Sequence, residues 1–71
     1  MRFEPVRKAR IDRGLPAAAV AQTADRSLGW VYAVERGLIT PGRREADAVA
    51  TLLDTEADAL FSKVREDEAA T

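Results

Sequence analysis

The sequence of 71 residues contains no cysteine and no histidine. Without cysteine, the chain forms neither disulfides nor thiolate metal sites. Without histidine, it also lacks the commonest zinc ligand and the usual general base. The sequence therefore predicts no catalytic residue, no metal site and no cofactor, and we do not expect an enzyme.

Only one acidic pattern invites a metal interpretation. Asp54, Glu56 and Asp58 alternate as the first ligands of a calcium loop do. Such a loop then needs a glycine and a bidentate glutamate, and here those positions hold Ala59 and Arg65. We interpret these acids as the start of a helix, where the helix dipole favours negative charge.

Long apolar runs are absent as well. No run reaches the ~18 apolar residues of a membrane span, and residues 1–5 lack the apolar region of a signal peptide. With 46% hydrophobic and 32% charged residues, the composition is typical of a folded domain. We therefore expect one small domain in the cytoplasm, with no membrane contact and no pocket for a small-molecule ligand.

Charge is unevenly distributed along the chain. Up to Arg44 there are nine Lys or Arg against four acids, and from Glu45 onward there are two against eight. This split predicts a dipolar molecule whose basic end can meet a polyanion. The alternative is that these charges are simply solvated helix faces.

Proline, glycine and capping residues mark the boundaries of five predicted helices. Pro5 and Pro16 suit first helical turns, Gly14 and Gly37 suit helix ends, and Ser27 suits an N-cap. No stretch alternates with a period of two, so we expect no sheet. The sequence predicts an all-α domain over residues 1–65 and a frayed acidic tail over 66–71. The predicted helices are 5–13, 16–23, 27–36, 42–53 and 55–64.

The third predicted helix has two different sides. At about 100° per residue, one side is apolar and faces the core, with Glu35 beside it. Its apolar residues are Val31, Val34 and Leu38. The opposite side is offered to a partner: Gly29, Tyr32, Ala33 and Arg36. Trp30 lies on the flank, where burial is favoured over contact with a ligand.

A set of anchor residues follows the order and spacing of a known family. They are Arg10, Gly14-Leu15, Val20-Ala21, Ser27, Val31, Val34-Glu35-Arg36-Gly37, Pro41, Leu53 and Leu60-Phe61. In this order the chain resembles the Cro and phage-repressor (XRE-type) helix-turn-helix family over roughly residues 6–61. The resemblance implies a compact five-helix, lambda-repressor-like domain.

The resemblance also implies a function. In this family the second and third helices bind double-stranded DNA, with the third helix in the major groove. It implies a repressor-like transcription regulator on the nucleoid, acting as a homodimer on a pseudo-palindromic site with the fifth helix near the subunit contact. The residues implied to contact DNA are Ala17, Arg26, Ser27, Leu28, Gly29, Tyr32, Ala33, Arg36, Arg43 and Arg44. For the arginines and Tyr32, the alternative interpretation is an ordinary solvated surface.

Arg10 lies on the inner side of the first predicted helix, four residues after Val6. An arginine there is costly unless it has a partner. The resemblance implies that this partner is Glu35, in a charge-assisted and bidentate contact behind the third helix.

The sequence departs from the family pattern at the proposed interface. Asp25 replaces the usual glycine of the turn, and Arg26 replaces a usually apolar residue. On the third helix, Leu28, Gly29 and Ala33 offer no hydrogen-bonding groups to base edges. The apolar residues of this helix, with Trp30, and the acidic second half of the chain, which DNA would repel, favour a second hypothesis. In it the same fold binds a protein as an anti-repressor, antitoxin or polymerase-modifying factor.

Overall fold

The computed structural model describes residues 4–66, without the side chain of Glu4. Five helices follow one another, and the described residues contain no strand: α1 (Glu4–Asp12), α2 (Ala17–Ala24), α3 (Leu28–Glu35), α4 (Arg43–Leu52) and α5 (Ala57–Leu60). The predicted all-α, five-helix fold is confirmed. The predicted tail is described only at Glu66, because residues 67–71 lie outside the described part of the chain.

Both ends of α3 are closed by local chemistry. The Ser27 Oγ accepts a hydrogen bond from the Trp30 N–H at 3.2 Å. At the other end Gly37 adopts φ +77°, in the left-handed region. The Leu38 N–H then donates to the Ala33 carbonyl at 2.8 Å, and the Gly37 N–H donates to Val34 at 2.9 Å. This Schellman-type ending explains why the helix stops where it does.

Leu38 was expected on the core side of α3, and this expectation is wrong. Its side chain is 70% exposed. The periodicity of about 100° per residue holds only while the backbone is helical, and the helix has ended at Glu35. Beyond Gly37 the chain turns away, so Leu38 points to solvent.

The core lies where α2 packs on α3 and α4, with α1 and α5 closing the remaining side. It is built mainly from valine and alanine, with Leu53, Leu60 and Phe61 as its larger members. Trp30 is buried at its edge, as its position on the flank of α3 favours. Small, stiff side chains let the short helices approach closely.

The fifth helix is much shorter than the predicted 55–64. It runs only over Ala57–Leu60, and Phe61 takes an extended conformation with φ −124° and ψ 127°. The following segment then bonds to the loop before α4: the Arg65 N–H donates to Pro41 at 2.8 Å, and the Arg43 N–H donates to Arg65 at 3.1 Å. Leu60 and Phe61 are nevertheless both buried in the core.

Candidate nucleic-acid interface

One side of α3 faces solvent along its whole length. We call this surface the α3 strip: Leu28, Gly29, Tyr32, Ala33 and Arg36. Leu28, Gly29, Tyr32 and Arg36 are exposed and Ala33 is half-buried. Tyr32 is 46% exposed although it is a large aromatic residue. The spacing along the strip follows one helix face, so a partner that contacts one member can contact all of them.

The opposite side of α3 is fastened to α1 by the Arg10–Glu35 pair. Arg10 Nε lies 2.7 Å from Glu35 Oε2, and its Nη2 lies 3.3 Å from Oε1. Arg10 Nη1 also donates to the Leu15 carbonyl at 3.2 Å. The two side chains are only 12% and 5% exposed. The hydrogen bond with Glu35 raises the pKa of Arg10, so the guanidinium stays charged. The structure thus brings together the two residues that the resemblance paired.

A second ion pair fastens the turn between α2 and α3. Arg26 Nε donates to Glu45 Oε2, and Glu45 is completely buried. Its Oε1 accepts from the Gly42 N–H at 2.9 Å. Burial by itself raises the pKa of Glu45, but the hydrogen bonds from Gly42 and Arg26 outweigh it and lower the pKa overall. A charged glutamate therefore connects the turn to the start of α4.

Two further arginines approach the same carboxylate. Arg44 Nη2 lies 3.9 Å from Glu45 Oε2, and Arg65 Nη2 lies 3.9 Å from Oε1. Arg65 also donates through Nε to the Thr40 carbonyl at 3.0 Å. We call Arg26, Glu45, Arg44 and Arg65 the Glu45 cluster. It places three cations around one anion.

Arg43 forms hydrogen bonds with two nearby carboxylates. Its Nη1 donates to Asp47 Oδ1 at 3.2 Å, and its Nε donates to Glu66 Oε1 at 3.1 Å. The bonds with Glu66 and Asp47 raise the pKa of Arg43, and the bond with Arg43 lowers the pKa of Glu66. Glu66, which was assigned to a frayed tail, is therefore tied to the first residue of α4.

The remaining residues predicted to contact DNA differ in how far they are exposed to solvent. Ser27 is exposed at the start of α3, and Arg36 is exposed at its end with no ion pair to any of residues 4–66. Arg44 is largely exposed as well. Ala17 is different, because its side chain is 5% exposed in the core. A contact by Ala17 is therefore limited to its main chain, since α2 begins at that residue without a side-chain cap.

The basic and acidic parts of the chain meet at some of the ion pairs. Acids from the second half pair with bases from the first: Arg13 with Asp54 at 3.4 Å, and Arg26 with Glu45. These contacts neutralise part of the charge of each part, and the overall dipole stays a prediction. The folded chain brings the two parts together because opposite charges attract strongly at short range.

Glu45 is a residue of this site that is absent from the predicted contact residues. Two signals in the sequence pointed to it. Gly42 and Glu45 are spaced as an N-cap residue and the acid that bonds back to it. Arg26 stands where the resembled family usually has an apolar residue, and a carboxylate is the favourable partner for a partly buried arginine.

A shallow cleft of about 380 Å³ opens beside the Glu45 cluster, lined by Arg26, Trp30, Ile39, Thr40 and Arg65. Among residues 4–66 the structure groups no acidic side chains in a way that holds a metal ion. Within the same range, none of the helices has the length and apolar character needed to cross a membrane.

Comparison with solved structures finds a similar protein with known coordinates. The high-resolution crystal structure of C.AhdI, a restriction-modification controller protein from Aeromonas hydrophila, matches with a TM-score of 0.73 and 29% sequence identity. The match covers 83% of this chain and 89% of that one. No family model matches the chain, and no curated protein matches it.

Proposed function

We propose that this chain, a helix-turn-helix protein of the Cro and phage-repressor (XRE) type, is a transcription regulator that lays α3 in the major groove of double-stranded DNA. The observation that carries the proposal is the α3 strip, a solvent-facing helix surface held rigid from behind by Arg10 and Glu35. The similarity to a restriction-modification controller protein supports a DNA-binding regulator at the general level.

The chemistry of the α3 strip suits a particular kind of recognition. Leu28 and Ala33 offer methyl groups to thymine methyls, and Tyr32 adds a hydroxyl that both donates and accepts. Few base edges can be recognised by hydrogen bonds with so few polar groups. Specificity then depends partly on sequence-dependent DNA shape. Affinity comes from phosphate contacts by exposed cations, Arg36 and Arg44 above all.

A dimer on a pseudo-palindromic site completes the proposal. A single chain of 71 residues covers little DNA, and two copies with half-sites about 34–36 Å apart are the usual solution for this motif. A subunit contact near α5 cannot use Leu60 and Phe61, which are buried in the core of the same chain. The subunit contact therefore has to use other exposed residues.

Selection of bound sequences from a random duplex pool tests the proposal directly. We expect enrichment of an inverted repeat with half-sites about one helical turn apart. The matched control is Tyr32→Ala, which removes the large polar side chain of the α3 strip and leaves the buried side of α3 unchanged. Enrichment by the control as strong as by the parent protein would contradict the assignment of α3 to the major groove.

Protein binding by the same fold is the second candidate. Leu38 is 70% exposed directly after α3, and Leu28, Gly29 and Ala33 lack hydrogen-bonding groups. Such a surface also suits a partner helix. A gel shift with random duplex at ~50 mM salt discriminates, since even non-specific electrostatic binding is visible there. No retention of any duplex would favour a protein partner.

A further inference from the structure

Glu45 is in an unusual position for a glutamate, because none of its surface is exposed. Both carboxylate oxygens have a donor: the Gly42 N–H bonds to Oε1 and the Arg26 Nε bonds to Oε2. Arg44 and Arg65 lie 3.9 Å away, beyond hydrogen-bond distance, so a carboxylate oxygen that loses its donor stays buried without a hydrogen bond, which is costly. Glu45 therefore holds its donors tightly.

The hydrogen bond to Glu45 fixes the position of the Arg26 side chain. Arg26 precedes Ser27, the N-cap of α3, and so lies at the edge of the proposed DNA surface. Its side chain remains 42% exposed, although its Nε is bonded to Glu45. By position alone it would be counted among the cations that neutralise phosphates.

We infer that Glu45 is a positioning residue and internal counterion that holds Arg26 at the α2–α3 turn and keeps it from binding a DNA phosphate. The inference rests on the proposed function, and it names which cations of the interface carry the binding. The Nε bond with Glu45 fixes the position of Arg26, and moving the guanidinium onto a phosphate would leave a buried carboxylate oxygen without its donor. A cation already balanced by a protein carboxylate also releases fewer counterions when DNA approaches.

Arg36 provides the contrast within the same interface. It is exposed at the far end of the α3 strip, and within residues 4–66 it has no ion pair. Its charge is therefore fully available to a phosphate. The slope of log Kobs against log salt concentration measures the number of phosphates that the protein neutralises. Arg36 should contribute to this slope, and Arg26 should not.

A double-mutant cycle measures this difference. Binding of a fluorescent random-sequence duplex is followed by anisotropy from 50 to 200 mM salt for the parent, Arg26→Gln, Glu45→Gln and the double variant. Glu45→Gln frees Arg26, so we expect its slope to steepen by about one, with affinity at low salt several-fold higher. The double variant should return to the parent slope, and Arg26→Gln alone should leave the slope unchanged.

Two controls separate this effect from general ones. Asp58→Asn raises the net charge equally but lies on α5, which packs on α1 and α4, and it should leave the slope unchanged. Arg36→Gln should flatten the slope by about one in both the parent and the Glu45→Gln background. Circular dichroism spectra and melting curves confirm that each variant is folded at the binding temperature.

Several measured results would contradict the inference, and each can be recognised separately. If Arg26→Gln alone flattens the slope by about one, Arg26 contacts a phosphate despite Glu45, and the inference is wrong. This variant tests the inference even if Glu45→Gln does not fold. A parent slope in folded Glu45→Gln, or an equal steepening in Asp58→Asn, also overturns it. If the parent protein binds no duplex at ~50 mM salt, the proposed function fails first, and the inference fails with it.

Discussion

Tyr32 and Arg36 are the members of the α3 strip whose side chains carry hydrogen-bonding groups, and both are exposed. The two serve different purposes in the proposed complex. A phenolic hydroxyl can distinguish one base edge from another, whereas a guanidinium at the helix end meets the backbone of any sequence. Substitution at each position therefore changes a different measured quantity.

Tyr32→Phe keeps the aromatic ring and removes only the hydroxyl. We expect affinity for a selected site to fall by about 1 kcal/mol, the usual net contribution of one hydrogen bond, while affinity for random duplex stays the same. Anisotropy titrations on the two duplexes measure both. Equal losses on both would show that the hydroxyl contacts the backbone, and no loss on either would remove it from the interface.

Arg36→Ala removes the exposed cation at the end of the α3 strip. We expect weaker binding to every sequence and a salt dependence flatter by about one unit of slope. Arg13→Ala is the matched control, because Arg13 is already paired with Asp54 on another part of the surface. An unchanged slope in Arg36→Ala would place this residue outside the interface.

At the scale of the elements, the position of α3 depends on contacts made behind it. The Arg10–Glu35 pair connects α3 to α1, and the hydrogen bond from Arg10 to Leu15 extends this connection to the loop before α2. At the other end of α3, Arg26 and Glu45 connect the turn to α4. The surface helix is thus held at both ends by buried carboxylates on its inner side.

Glu35→Ala tests the first of these connections. It leaves Arg10 with an uncompensated charge at a site where the side chain is 12% exposed. We expect the free energy of unfolding to fall by about 3–5 kcal/mol, measured by urea denaturation with circular dichroism. Replacing both partners, in Arg10→Met/Glu35→Met, should recover much of that loss.

The exposed acid Glu56 supplies the control for this measurement. It lies on the surface before α5, and Glu56→Ala should change stability by no more than about 0.5 kcal/mol. A Glu35→Ala variant as stable as Glu56→Ala would show that the contact between α1 and α3 contributes nothing to the fold.

On the scale of the whole molecule, charge pairs connect segments that are far apart in the sequence. Asp54 pairs with Arg13, Glu45 with Arg26, and Glu66 with Arg43. Of these acids only Glu45 is fully buried. Exposed pairs contribute little to stability, so among these three pairs the dependence of stability on pH should come mainly from Glu45.

Glu45 should make the protein less stable in acid. Because the folded state lowers the pKa of Glu45 from the ordinary value of 4.5, its contribution is fully present above about pH 4.5. It is then lost as the pH falls through the lowered pKa of the folded protein. We expect urea denaturation between pH 7 and 3 to show this loss in the parent and a smaller loss in Glu45→Gln.

Glu56→Gln removes an exposed carboxylate and should retain the pH dependence of the parent protein. If Glu45→Gln and the parent lost stability equally over the same range, the buried carboxylate would not be the source of the acid sensitivity.

Much of the fold could be predicted because its signals are local. Ser27 and Gly37 mark the ends of α3 by bonds to residues within the same few turns of chain, and such bonds depend only on neighbouring residues. The family pattern added the Arg10–Glu35 contact, which spacing alone does not predict. The length of α5 and the exposure of Leu38 could not be predicted in this way, because each depends on where the chain leaves a helix.

The sequence by itself determined the helical character, the capped α3 and the two unlike sides of that helix, since periodicity and capping act over a few residues. Only the tertiary structure decided that Glu45 is buried against Arg26, that Arg43 is paired with Glu66, and that Arg36 keeps an exposed charge. The pairing of charges depends on distances between segments far apart in the chain, and those distances exist only after the helices have packed.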